Sequence, residues 1–217
     1  MILLEAGQSY KPRSMYPCQV LSLAGSNQIH LSEDDTAYGY LLQGGLSFEN
    51  FVVRERQYFS LTATSAATML ACEEVRGLLV IRKGFKGQNL VGGPLEQSGR
   101  LVYIDGCSDS VLVYPPRLGD PSLNHLHFPD GILQSFHIHP SIRAGIVVSG
   151  KGQSHLAGNA VKDLTPGSVF VLDERERHRF ATTDAEMHIV AFHPDGDFGP
   201  TDSNHPMKNR TLVTDQQ

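Results

Sequence analysis

The chain has 217 residues, 40% of them hydrophobic, which is enough for an ordinary core and excludes wholesale disorder. Lys+Arg 18 against Asp+Glu 23 gives a net charge of −5, and no basic cluster overturns that balance, so a nucleic-acid footprint is excluded. No apolar run approaches the ~18–20 residues of a membrane span. The first residues, MILLEAGQSYKPR, lack the basic start, sustained apolar stretch and cleavage site of a signal peptide, so a cytoplasmic location is expected. Three cysteines (Cys18, Cys72, Cys107) at wide spacing fit neither a disulfide framework nor a thiolate zinc site.

Short runs rich in β-branched and aromatic residues follow one another along the chain, bounded by Gly, Pro and Asp. They are Tyr38–Leu42, Phe51–Val53, Tyr58–Leu61, Leu78–Ile81, Leu101–Ile104, Val111–Tyr114, Ala144–Val148, Ser168–Leu172 and His188–Phe192. Runs of this kind predict antiparallel strands of a sandwich or barrel, so the fold class is all-β. Residues 62–73 (TATSAATMLACE) are the one stretch that predicts a short helix, against their Thr/Ser content.

The two halves carry a weak internal repeat. Tyr40-Leu41-Leu42-Gln43-Gly44-Gly45 matches Ile146-Val147-Val148-Ser149-Gly150-Lys151, and Tyr58-Phe59-Ser60-Leu61 matches Val169-Phe170-Val171-Leu172. Two related β units would fill the length, one over 1–118 and one over 119–217. The Pro- and Gly-rich stretch 115–130 reads as their connection.

Chemistry concentrates in Gly131-x5-His137-Ile138-His139-x3-Arg143-x6-Gly150, followed by Pro166-Gly167-Ser168 and then His178. On an extended chain, residues i and i+2 share a face, so His137 and His139 project together. A third imidazole from a later strand would complete a three-nitrogen set for one cation, and imidazole suits Fe, Zn, Cu and Ni alike.

This pattern resembles the cupin superfamily, whose first motif has the form G-x5-H-x-H-x3-4-E-x6-G and whose second ends in one metal-binding His. The likeness covers residues 120–194 well and the first half as a degenerate copy. It implies two cupin-like β-barrels of the jelly-roll type, the second holding one divalent metal ion (Fe, Zn, Ni or Mn) on His137, His139 and His178. The first half has His30 but no H-x-H, so it is expected to be metal-free and to serve packing or a homodimer contact. Three departures stand out: Arg143 occupies the place of the motif glutamate, Asp173–His178 keeps only the His of the second motif, and Thr182 replaces its usual asparagine.

An arginine is permanently cationic and has no lone pair for a metal. Facing inward, Arg143 would recognise a small anionic molecule beside the metal, with Asp173, Glu174 or Glu176 available to balance charge. Facing outward, it would make a surface ion pair. The resemblance therefore implies a metal-binding cupin, an oxygenase among its possible activities; a non-catalytic small-molecule binding or sensing protein is the alternative. His188, on the last strand, is a candidate acid/base group with Arg143, and His155 shares that reading. His125 and His127 form a second H-x-H with no evident partner. His193 and His205 read as loop histidines, and Asp195, Asp197 and Asp202 as turn formers rather than a calcium loop.

Overall fold

The computed structural model describes residues 1–25, 28–72, 74–212 and 214. In chain order its strands are β1 (Ile2–Leu4), β2 (Ser9–Tyr10), β3 (Cys18–Gly25), β4 (Gln28–Leu31), β5 (Thr36–Gln43), β6 (Leu46–Phe48) and β7 (Phe51–Val53). Next come β8 (Tyr58–Thr62), β9 (Ala67–Ala71), β10 (Val75–Arg82), β11 (Leu90–Gly92), β12 (Leu101–Val102), β13 (Ser108–Val113) and β14 (Ser122–Phe128). The set closes with β15 (Arg143–Gly150), β16 (Gly152–Leu156), β17 (Val161–Leu164), β18 (Val169–Leu172), β19 (His178–Ala181) and β20 (Met187–His193). Helical structure among the described residues is limited to three single 3-10 turns, and no helix is long and apolar enough to cross a membrane.

Four sheets stack in layers. A four-stranded sheet (β4-β9-β6-β7) faces a six-stranded one (β11-β8-β5-β10-β3-β2), and a seven-stranded sheet (β1-β18-β15-β20-β14-β13-β12) faces a three-stranded one (β17-β16-β19). Each gap is filled by its own core. Leu31, Phe48, Phe59, Met69 and Leu79 fill the first pair of sheets. Phe128, Leu164, Phe170, Phe180 and Ile189 fill the second. Between the two pairs lies a third core, in which Tyr38, Leu78 and Val80 meet Ile146, Val190 and Phe192; the Tyr38 and Phe192 rings lie 5.0 Å apart. The central strands β5, β10, β15 and β20 are therefore buried on both faces, which is why they read as unbroken apolar runs.

The order β8-β5-β10-β3 in one large sheet matches β18-β15-β20-β14 in the other. Gly39 pairs with Phe59 as Gly145 pairs with Phe170, and in each case the ring lies over the glycine where a Cβ would collide with it. Gly44 and Gly150 both turn at positive φ against the backbone that opens the next central strand, at Glu74–Val75 and Glu186–Met187. The sequence stretches paired above thus occupy corresponding places.

Residues 62–73 form no helix. Thr62 ends β8, and Ala67–Ala71 is β9, paired with β4 and β6 and burying Met69; Glu73 lies outside the described residues. Tertiary pairing overrides a local preference that was weak to begin with. The sheets also do not divide at residue 118: β12 and β13 precede it yet pair towards β14, and β1 adds to the far edge of the seven-stranded sheet through β18. The connecting segment ends at Asp120–Pro121, before β14 begins at Ser122.

Candidate metal centre

The segment 132–139 is extended but only loosely laddered, touching β19 through isolated bridges at Leu133–Ala181 and His137–His178. Thr182 N donates to Ile132 O at 2.8 Å, Gln134 N to Phe180 O at 3.0 Å, and His137 N to His178 O at 2.9 Å. Two residues, Ser135 and Phe136, intervene on one side where Arg179 alone intervenes on the other, which is the arithmetic of a β-bulge. Ser135 N is held by Asp105 Oδ2 at 2.6 Å, and Phe136 is carried outward against the guanidinium groups of Arg177 and Arg179. The extra residue aims His137 and His139 at the third histidine.

Donor atoms of His137, His139 and His178 lie within 4.8 Å of one another. His137 Nδ1 donates to Ser135 O at 2.9 Å and His178 Nδ1 to Glu176 O at 2.8 Å. A ring nitrogen facing a carbonyl must carry the hydrogen, so each Nε2 is left as a lone pair. His178 Nε2 is buried and has no hydrogen-bond partner, an unmade interaction that a cation would satisfy. Burial, then the charge of Arg143 and the other two rings, pushes His139 down to about 3. Burial and then His137 do the same for His178, also to about 3. Both rings are held in the neutral form that binds metal.

Arg143 turns inward. Its side chain is 12% exposed and lines, with the three histidines, a cavity of about 60 Å³. One terminal nitrogen donates to Ser141 Oγ at 2.6 Å, Ile142 O at 2.8 Å and Ser141 O at 3.2 Å, and Asp195 Oδ1 stands 3.8 Å away. Ser141 Oγ in turn donates to Asp195 Oδ1. The buried Nε of Arg143 has no partner. The balancing acid is therefore Asp195 rather than Asp173, Glu174 or Glu176: Glu174 accepts from Ser14 Oγ, and Glu176 from Asp173 N and the amino group of Met1.

His188 does not reach this cavity. Along β20, Met187, Ile189 and Ala191 point into the core of the second sheet pair, so His188 points out of the other face. His193 keeps the inward parity and lines the cavity, as do Tyr103, Asp109 and Gln134. Burial first, then Arg143 and His139, holds His193 well below its usual pKa. His155 sits on β16 away from the cavity, its Nε2 buried without a partner. Thr182 pins the turn ahead of the H-x-H segment, donating to Pro129 O at 2.5 Å and accepting from Ile132 N at 2.9 Å.

No family model and no curated protein matches the chain. Solved structures do. A cupin 2 conserved barrel domain protein from Leptotrichia buccalis aligns with a TM-score of 0.60 at 16% identity, over 88% of this chain and 91% of that one. Salicylate 1,2-dioxygenase from Pseudoaminobacter salicylatoxidans aligns with a TM-score of 0.61 at 9% identity, over 83% and 72%. Oxalate decarboxylase from Bacillus subtilis, a protein with Mn(II) centres, aligns with a TM-score of 0.52 at 13% identity, over 90% and 75%. At such identities the likeness concerns architecture: the chain has the fold of the cupin-domain proteins.

Proposed function

We propose that this protein is a metal-dependent enzyme acting on a small anionic molecule, with His137, His139 and His178 holding one divalent ion and Arg143 receiving the anion. The observation that carries this reading is the convergence of three imidazoles, two with Nδ1 tied to a carbonyl, beside an inward guanidinium. When bound, such an ion supplies Lewis-acid or redox chemistry, oxygenation included. The chain's own residues do the rest. Three neutral donors and an Arg–Asp pair add no net charge to cancel the ion, so an anion is favoured as its companion. Arg143 Nε–H is an unused donor for that anion, and His193 stands beside it as a ring that burial and Arg143 keep neutral. A cavity of about 60 Å³ admits a few heavy atoms, so a short-chain carboxylic acid fits as it stands. Two of the structural neighbours are named for carboxylates, salicylate and oxalate.

A binding or sensing role is the second reading. One observation favours it: one terminal nitrogen of Arg143 is already spent on Ser141 and Ile142, which limits what it can lend to a reacting group. Metal content of untagged protein, followed by assay of small carboxylic acids with Fe(II), Mn(II), Zn(II) and Ni(II), separates the two. Arg143→Glu is expected to tighten metal binding, because it adds a carboxylate and removes a positive charge, and to abolish binding of acids. Unchanged metal affinity together with unchanged acid binding in that variant would remove Arg143 from the site.

A further inference from the structure

On the opposite face of the seven-stranded sheet, two neighbouring strands gather a second group of metal-binding side chains. His125 and His127 share a face of β14, and His127 stands directly opposite His188 on β20. Glu186, two residues before His188, extends along the same side. The donor atoms of His127, Glu186 and His188 all lie within 4.8 Å of one another. None of them belongs to the cavity described above, because inward and outward residues alternate along β20.

We propose that His127 Nε2, His188 Nε2 and the Glu186 carboxylate form a second metal site, for a divalent ion of the zinc class. His127 Nε2 lies 3.1 Å from Glu186 Oε2, and His188 Nε2 lies 3.4 Å from Glu186 Oε1. Two ring nitrogens thus converge on one carboxylate, and a single cation between them replaces both N–H···O contacts. Each ring has a partner for its other nitrogen, as bound imidazoles do. His127 Nδ1 lies 3.5 Å from Ser108 Oγ, and His188 Nδ1 lies 2.9 Å from His125 Nε2. With a cation on Nε2, His188 carries its hydrogen on Nδ1 and donates it to His125, which makes His125 a positioning residue. The rings are stacked, with centroids 4.6 Å apart for His127 and His188 and 5.2 Å for His125 and His188.

Two neutral imidazoles and one carboxylate suit zinc, and nitrogen donors argue against calcium or magnesium. The site is reachable: the Glu186 side chain is 59% exposed, and Glu186 and His188 border a cleft of about 670 Å³ between the two sheet pairs. Tyr40 and Arg56 border it from the other side, so remaining coordination positions open onto a wall that accommodates water or a small anion. The corresponding places in the first sheet pair hold Ser22, Ala24, Glu74 and Arg76, which is no donor set.

The test uses the full chain without a metal-affinity tag, stripped with chelator and equilibrated with Zn²⁺ and, separately, Co²⁺. Two equivalents of zinc are expected. Glu186→Gln, an exposed and nearly isosteric change, and His127→Ala should each remove one equivalent and the matching Co²⁺ absorption band, while His178→Ala removes the other. His125→Ala should weaken the cleft site by about 10–100-fold and shift its Co²⁺ band; the ring is fully buried, so the variant also melts lower, and affinities are compared at a temperature where both proteins are folded. Zinc content and Co²⁺ spectra unaltered by both Glu186→Gln and His127→Ala would overturn the proposal and leave a hydrogen-bonded cluster. If His178→Ala removes nothing while Glu186→Gln still removes an equivalent, the cleft site stands and the three-histidine centre falls.

Discussion

The two sheet pairs share a strand order and differ in what fills them. Register assigns four polar residues of the second cavity a counterpart in the first. His137 and His178 face each other where Leu31 and Ala67 do in the first pair, and Arg143, paired with Leu172, corresponds to Ala37, paired with Leu61. His193 takes the place of Ile81. Leu31, Ala37 and Ile81 are all buried in hydrocarbon, with Ala67 packed against them. A similar strand arrangement thus encloses a closed core in one sheet pair and a histidine-lined cavity in the other, and these four positions contribute to the difference. Imidazoles and a guanidinium resist collapse because each must keep a partner; Leu, Ala and Ile pack without that demand.

That contrast can be broken or sharpened by measurement. Phe59→Ala should cost about 5 kcal/mol and Phe170→Ala about 3, since the void left by Phe59 is dry whereas Phe170 borders the polar cavity. Denaturant unfolding would refute the contrast if the order were reversed. The next effect is pH dependence. His139 and His178 titrate near 3 when folded and near 6.5 when unfolded, so the unfolded chain binds more protons between those values. Their contribution is therefore complete above about pH 6.5 and lost as pH falls towards 3, with a slope of up to about 1.4 kcal/mol per unit for each ring. His178→Gln in chelator should flatten the stability profile over that window; an unchanged slope would mean that His178 is protonated in the folded state.

Gly39→Ala should cost about 3 kcal/mol and Gly145→Ala about 1, because the atom nearest a Cβ at Gly39 is the Leu78 carbonyl oxygen, which is held in the sheet, whereas the three nearest at Gly145 all belong to the Phe170 ring. Thermal melts of the two variants would settle the order. The smallest contrast concerns charge. Asp35 is nearly buried; burial works to raise its pKa, but Lys83 and the N–H groups of Gly84 and Ser32 hold it below its usual value. Asp35→Asn should cost about 2 kcal/mol. Asp184→Asn, which breaks an exposed pair with Lys151, should cost less than about 0.5 kcal/mol. Equal losses in denaturant titrations would deny burial its role.

The strands and the H-x-H segment are legible because strand alternation and close spacing are local properties, whereas His178, 39 residues beyond His139, is reached only through the resemblance. The side taken by His188 is not legible. β20 is apolar on both faces, Val190 and Phe192 on one and Ile189 and Ala191 on the other, so alternation carries no sign of which core lies inside the second sheet pair. Asp195 looked like a turn former because its contact with Arg143 spans some fifty residues that no local pattern connects. His193 was within reach: it continues the parity of Met187, Ile189 and Ala191, and its place beside Pro194 hid that. Residues 62–73 differ for another reason, since Ala and Met serve a helix and an interior strand equally well until the partner strands are known.

β1 gives the chain an unusual order of assembly. The strand that closes the edge of the seven-stranded sheet comes from the first residues, and its partner β18 lies about 165 residues later. During synthesis at roughly 5–20 residues per second, that first segment waits on the order of ten seconds or more for the surface it completes. Such long-range pairing raises contact order and slows folding. A fragment beginning at residue 119 would lack β1, β12 and β13, leaving β18 and β14 as bare edges open to pairing with other copies. The second sheet pair is thus finished by a strand that precedes the first, which ties the production of its histidine-lined cavity to synthesis of everything from β1 to β20.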